Sequence, residues 1–253
     1  LRAAGEAGVE KVVYTSSIAV FGGQGPGCDA TEQSPFRLGE TGDPYAISKY
    51  EAHRVAVELA GQGLNVTLVA PCAPLGPGDV GPTPTGRLLL SILHLPVPVV
   101  IDTSSNMIDV RDVAEGHILA AERGRAGESY LLGHQNRSLL ELARMAASLA
   151  GVHRPILQAP PAVATLAGHA LLWYADHVSH RAPLFTPRSI RMAALGLRAD
   201  CRKAVLELNL PQAPIETAVR DALIWFARNG YVRNPGARER LLRLEQASDF
   251  PGS

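Results

Sequence analysis

Lys11-Val-Val-Tyr-Thr-Ser16 and Leu64-Asn-Val-Thr-Leu-Val-Ala70 are short apolar runs rich in β-branched residues, with a single helix-forming stretch between them. Runs of this kind bury both faces, as strands do in a parallel sheet covered by helices. The helix between them opens with Asp43 as N-cap and Pro44 at its first position, and it is predicted to run to about Gly61. The stretch from Ser17 to Gly42, rich in Gly, Pro and polar residues, is predicted to be mostly loop. Strand, loop, helix and strand in that order are the rhythm of an α/β fold.

The remainder is looser and more helical. Leu1–Gly8 reads as the closing turns of a helix, Pro74–Pro84 as a loop, and Gly86–Leu95 as an apolar helix. Asp109 and Asp112 stand where a helix over Val113–Ala121 would want them. Tyr130–Gly133 is a short strand, and Ser138 with Glu141 forms a capping-box spacing for a helix closing at Gly151. Ile215–Asn229 has helical periodicity with Gly230 as its stop, and a charged helix with a frayed end follows Arg233. Ala162–Ala175 is the most apolar stretch; it is too short to cross a bilayer, contains His169, and is expected to be a covering helix rather than a membrane contact.

Composition narrows the function classes. The 253 residues carry zero net charge, which gives no field for nucleic acid. Cys28, Cys72 and Cys201 are odd in number and widely spaced, which suits a reducing cytoplasm and argues against a disulfide framework. No charged-then-apolar leader opens the chain, and it does not start with Met. Its 24 basic residues are nearly all arginine, the exceptions being Lys11, Lys49 and Lys203.

Tyr45 and Lys49 lie one helical turn apart, so phenol and ammonium share a face. A phenol titrates near ~10, and a neighbouring cation favours the phenolate needed for proton exchange near neutrality. The spacing also occurs on ordinary helix surfaces. Ser16 and Ser17 follow the first strand, at the carboxyl end where parallel sheets bind ligands; they are either strand caps or hydrogen-bond donors to a reacting oxygen.

Together, Thr15-Ser-Ser-Ile-Ala-Val-Phe-Gly22, Asp43-Pro-Tyr-Ala-Ile-Ser-Lys-Tyr-Glu-Ala52, Val69-Ala-Pro71 and Gly76-Pro-Gly78 resemble the extended short-chain dehydrogenase/reductases. That family includes NAD-dependent epimerases, dehydratases and dihydroflavonol-reductase-like enzymes. Within it, Gly81–Arg87, Asn106–His117, Tyr130–Gly133 and Trp225–Tyr231 are most similar to the hopanoid-associated sugar epimerases, and the likeness covers roughly residues 1 to 233. The resemblance implies a partial Rossmann fold, a doubly wound parallel sheet with its first strands missing, and a C-terminal, mostly helical substrate-binding part. Residues 1–80 would be the catalytic half of the NAD(P)-binding domain, 81–233 a mixed substrate region returning in part to the sheet, and 234–253 a tail.

By the same resemblance Ser17 orients the substrate oxygen, Tyr45 is the general acid/base, and Lys49 holds the nicotinamide ribose. Ser16, Pro71 and Cys72 would line the nicotinamide side, with NAD or NADP as cofactor. The implied reaction is epimerisation or reduction at a secondary alcohol or ketone of a sugar-like or lipid-linked small molecule; an inactive remnant that binds a partner is the reading from another class. A homodimer remains open.

Three departures stand out. Ala70-Pro-Cys-Ala73 lacks the hydroxyl and amide the family often has there. Ser105 stands where sugar-nucleotide enzymes commonly carry an arginine for the diphosphate, and a hydroxyl cannot imitate a guanidinium fork. No Gly-rich strand–turn–helix fingerprint is present: Gly22-Gly-Gln-Gly-Pro-Gly27 reads as a loop. The chain is therefore expected to be a fragment with an uncovered edge on its first strand, binding NAD poorly by itself. His169, His177 and His180 are expected to be solvated helix residues rather than a metal site, and Cys72 a packed residue rather than a reactive thiol. Arg87 and His94 are placed near the substrate cleft without an assigned role.

Overall fold

The computed structural model describes residues 1–174, 177, 190–191 and 194–248. A short helix α1 (Arg2–Glu6) precedes strand β1 (Val12–Thr15), and helix α2 (Pro44–Gly61) leads to β2 (Val66–Pro71). Between β1 and α2 the chain is loop with two single 3-10 turns. The Gly22–Gly27 segment belongs to that loop; Gln24 Nε2 braces it by donating to Phe21 O (2.7 Å) and Pro35 O (2.8 Å).

After β2 come β3 (Ala73–Leu75), α3 (Pro84–His94), β4 (Val99–Ile101), β5 (Ser104–Asp109) and α4 (Val110–Arg123). They are followed by β6 (Ser129–Leu132), β7 (Gln135–Ser138), α5 (Leu139–Ala150), β8 (Leu157–Ala159) and α6 (Pro161–Tyr174). The last described helices are α7 (Arg202–Leu208), α8 (Ile215–Arg228) and α9 (Pro235–Ser248).

Three sheets result. β1, β2 and β6 form a parallel sheet in that order, β3 pairs parallel and β7 antiparallel to β5, and β4 pairs parallel with β8. β1 is an edge strand and none of its residues is fully buried, in line with the uncovered edge expected, whereas five of the six residues of β2 are buried. The other edge, β6, is closed by a side chain: Leu131 N–H donates to Glu32 at 2.9 Å. Burial raises the Glu32 carboxyl above its usual range.

Two large hydrophobic cores, and a small third cluster of Ala19, Leu38 and Ala46, are found among the described residues. One packs β2, β6 and α4 against α7 through Val69, Tyr130, Leu131 and Leu208. The other packs α3, α5, α8 and α9 through Leu89, Leu93, Leu142, Leu223 and Phe226. α9, within the expected tail, contributes Ala237 and Leu241 to this second core. The α/β expectation holds, although the C-terminal part includes small sheets that local periodicity did not reveal.

Gly133, just after β6, sits where the first core is tightest. A Cβ there would collide with Asn106 Oδ1 and with the sulfurs of Cys72 and Cys201. Gly133→Ala is expected to cost about 1–3 kcal/mol through overpacking, read as a lower urea midpoint with unchanged slope.

Candidate active site

Strand β1 delivers Ser16 and Ser17 to the carboxyl end of the parallel sheet. Ser16 N–H extends the ladder by donating to Val69 O at 2.7 Å. Ser17 then leaves the strand and N-caps the 3-10 turn Ile18–Val20, its Oγ accepting from Ala19 N–H at 3.2 Å. The turn closes tightly, with Gly22 N–H on Ile18 O at 2.7 Å.

Helix α2 brings the second half. Asp43 Oδ1 accepts from Tyr45 N–H (2.9 Å) and Ala46 N–H (3.1 Å), and Pro44 occupies the first helical position. This places Tyr45 in the first turn, where its hydroxyl donates to Ser17 Oγ at 3.3 Å. Ser17 is 8% exposed and Tyr45 is 51% exposed, so the phenol is open to solvent while the serine is largely covered. With its oxygen accepting twice, the Ser17 hydroxyl keeps its own proton for a further acceptor.

Lys49 follows one turn along α2, half-buried. The other two lysines are occupied. Lys11 Nζ donates to Gly124 O at 2.6 Å, and Lys203 Nζ pairs with Glu128 (2.6 Å) and lies 4.6 Å from the Tyr130 ring centre. Among the described residues no hydrogen bond or ion pair engages the Lys49 ammonium.

One further turn along stands His53, which the sequence reading passed over. It is 7% exposed, its Nδ1 lies 2.9 Å from Ser16 Oγ, and its ring meets Phe21 edge-on at 5.2 Å. The spacing Tyr45, Lys49, His53 was the available signal. Ser16 is accordingly turned inward, 3% exposed, with its hydroxyl on His53.

The turn from Pro71 to Ala73 carries β2 into β3. Cys72 is 4% exposed, its N–H donates to Leu132 O at 2.9 Å, and its sulfur lies 4.0 Å from that of Cys201. The contact with Cys201 and burial push the Cys72 thiol up, which makes it a packed residue rather than a nucleophile. What this turn offers a ligand is backbone and the proline ring.

Past the turn, Pro74–Asp79, Thr83, Leu89, Val110 and Phe226 line a cleft of about 210 Å³. Its loop is clasped by Asp79, which accepts from Thr83 N–H and Oγ1 at 2.9 Å. Asp79 is the one charged residue in this lining.

Ser105, at the expected arginine position, lies directly opposite Arg137 across the antiparallel β5–β7 pair. The Arg137 guanidinium is engaged by Gln135 (2.8 Å), Glu216 (3.4 Å) and Glu141 (3.7 Å). Arg87 is exposed, while His94 accepts from Arg233 N–H at 3.1 Å. His177 stacks on Trp173 at 5.0 Å, and His180 lies outside the described residues. Among the described residues no group of three or more His, Cys, Asp or Glu side chains is placed to hold a metal.

Burial holds the His53 imidazole below its ordinary value of 6.5, and burial with the nearby Arg233 and Arg154 does the same for His94. The unfolded chain therefore takes up these protons first. Stability is full above the unfolded value, falls as pH drops below it, and levels off beneath the folded values. Glu32, raised in the fold, works in the opposite direction within the carboxylate range. The urea midpoint should fall between about pH 7.5 and about pH 5.5, and His53→Gln should reduce that fall; an undiminished fall would exclude His53 as a source.

Comparison with known proteins places this geometry. Residues 1–133 match the sequence profile described as the NAD dependent epimerase/dehydratase family. A Synechocystis sp. protein provisionally named as a dihydroflavonol 4-reductase is 37% identical over 240 residues, spanning 92% of this chain and 69% of that one. Sterol demethylase protein B of Methylococcus capsulatus is 31% identical over 237 residues, spanning 92% and 71%. Among solved structures, a nucleoside-diphosphate-sugar epimerase of Pseudomonas aeruginosa superposes with a TM-score of 0.76 at 29% identity, again over 92% of this chain and 71% of that one. The chain accordingly belongs to the NAD dependent epimerase/dehydratase family, a family of enzymes within the extended short-chain dehydrogenase/reductases.

Proposed function

We propose that the chain performs nicotinamide-dependent oxidoreduction at a secondary alcohol or ketone, with Tyr45 as general acid/base and Ser17 orienting the reacting oxygen. The observation that carries this is the 3.3 Å bond from the Tyr45 hydroxyl to Ser17 Oγ at the carboxyl end of β1. Two hydroxyls converging on one point can hold an alcohol or carbonyl oxygen and pass it a proton.

The residues present fit the nicotinamide end of the cofactor: Lys49, one helical turn from Tyr45, has an ammonium with no hydrogen bond or ion pair among the described residues, and the Pro71–Ala73 turn lies at the carboxyl end of β2. Lys49 and that turn would hold the cofactor, which when bound supplies or accepts the hydride. In oxidation Tyr45 removes the hydroxyl proton of the substrate; in reduction it returns one to the nascent alkoxide. Ser17 donates its own proton in a hydrogen bond to that oxygen in both directions. Lys49, by its positive charge one turn away, stabilises the phenolate that alternates with the phenol.

The substrate class follows from charge. The cleft beyond the turn is lined by Leu75, Leu89 and Phe226 with a single carboxylate, and Arg137, opposite Ser105, is already engaged by Glu141 and Glu216. This favours an uncharged or lipid-linked ketone over a nucleotide sugar. In this reading residues 1–80 bring the catalytic groups and the Pro74–Asp79 side of the cleft, 81–233 the rest of the substrate region, and 234–253 a tail. The names of the Synechocystis and Methylococcus relatives agree with a hydrophobic substrate, and that of the Pseudomonas structure with a sugar nucleotide.

The test is turnover with a dihydroflavonol, a sterol ketone and UDP-glucose, each with NAD(H) and NADP(H), followed by nicotinamide absorbance or product epimer. Tyr45→Phe should lower kcat by about 10²–10⁴ with cofactor affinity unchanged, and Lys49→Met should weaken cofactor binding and displace the pH profile to higher pH. Undiminished turnover in Tyr45→Phe would remove the phenol from the mechanism. Turnover of UDP-glucose alone would overturn the substrate assignment.

A further inference from the structure

From Pro155 to Ala175 the sequence holds 21 residues without Asp, Glu, Lys or Arg. Fourteen of them, Pro161–Tyr174, form α6. The sequence reading expected a covering helix, and a helix apolar around its circumference belongs inside a core or against lipid. α6 is covered on neither account. Val163 is 57% exposed, Leu166 73% and Trp173 61%, while Pro161, Ala164 and Thr165 are half-buried.

The small sheet that precedes the helix in sequence also exposes apolar side chains. Val99 of β4 and Leu157 of β8 are register partners, and both are more than half exposed. Val163, Leu166 and Trp173 fall on one side of the helix by their spacing, and several large apolar side chains on one face mark an interaction surface rather than ordinary solvent-facing structure.

The flanking charge identifies the occupant. Although the chain is neutral, the sequence from Arg154 to Arg191 carries Arg154, Arg181, Arg188 and Arg191 against one acid, Asp176, together with His169, His177 and His180. An apolar helix bearing an exposed indole, in a stretch of sequence that carries arginines on both sides and one acid, has the composition of a segment that meets an anionic bilayer surface. At 1.5 Å per residue α6 is about 21 Å long against a hydrocarbon core of ~30 Å, so it is suited to lie in the interface and not to cross it.

We propose that the exposed α6 face docks on a membrane surface rich in anionic phospholipid. This does not rest on the catalytic assignment, since docking requires neither Tyr45 nor a cofactor. A helix that seats the enzyme on the bilayer would give the adjoining fold access to molecules dissolved there.

The experiment is flotation of the full chain with phosphatidylcholine vesicles, with and without phosphatidylglycerol, together with tryptophan emission. The chain should float with the phosphatidylglycerol vesicles, its emission should shift to the blue, and added salt should weaken binding. The double variant Leu166→Asp, Trp173→Asp should lower the bound fraction about tenfold or more while retaining the parent circular dichroism and thermal transition. Three results would overturn the proposal: no flotation of the parent chain, flotation that the variant leaves intact, or equal binding to vesicles lacking phosphatidylglycerol. A non-floating chain that elutes as a dimer, and that Leu166→Asp converts to monomer, would give the face to a second copy instead.

Discussion

The head of α2 is where the local chemistry of the sequence turns into a site. Thr41 Oγ1 donates to Leu38 O at 2.7 Å and accepts from Asp43 N–H at 3.2 Å, and Asp43 in turn takes the Tyr45 and Ala46 N–H groups. Thr41 and Asp43 are both 8% exposed, so these bonds are made out of competition with bulk water. An N-cap is worth about 1 kcal/mol, modest in stability but decisive for where the first helical residue stands. Ala46, fully buried against Ala19 and Leu38, sets the helix onto the loop after β1 at close range. With the helix start and its depth both fixed, the Tyr45 hydroxyl comes within hydrogen-bond reach of Ser17.

What was legible in the sequence were the features written within a few neighbouring residues. The Asp43–Pro44 start, the Ser138–Glu141 capping box and the two apolar strands all appear where their residues imply. The pairing of Tyr45 with Ser17 came from resemblance, because no local rule joins positions 28 residues apart. β5 shows why the second sheet escaped notice. Ser104, Ser105 and Asn106 are polar and carry no strand periodicity, and they form a strand because β7 meets them across an antiparallel ladder. Buried Asn106 then acts as a bridge, donating to Asn136 Oδ1 and Ala199 O and accepting from His134 N–H. The inward turn of Cys72 was equally hidden, since its partner Cys201 is 129 residues away.

The same limit applies to α6. Its apolar composition was plain in the sequence, and the inference of cover followed from composition alone. Cover is a property of what surrounds a helix, and the packed neighbours that shelter Leu142 or Leu223 elsewhere in the chain do not enclose Leu166. Length separates crossing a membrane from not crossing it, but leaves open whether a helix lies on one.

A polar joint links α4 to α8. Asp109, fully buried, caps α4 by accepting from Arg111 N–H at 2.8 Å and also takes the Arg111 guanidinium. A carboxylate so supplied with donors can remain ionised in the interior, and its pKa is lowered accordingly despite the opposing effect of burial. Arg111 then reaches Asp221 of α8 at 2.8 Å. The cleft lies between these same elements: Val110 of α4 forms one wall, with Ala222 and Phe226 of α8 forming another. An ion pair half open to solvent adds little to stability, but here it spans the two walls from outside. The width of the cleft is thereby tied to the carboxylate that starts α4, and so to the strand β5 that carries it.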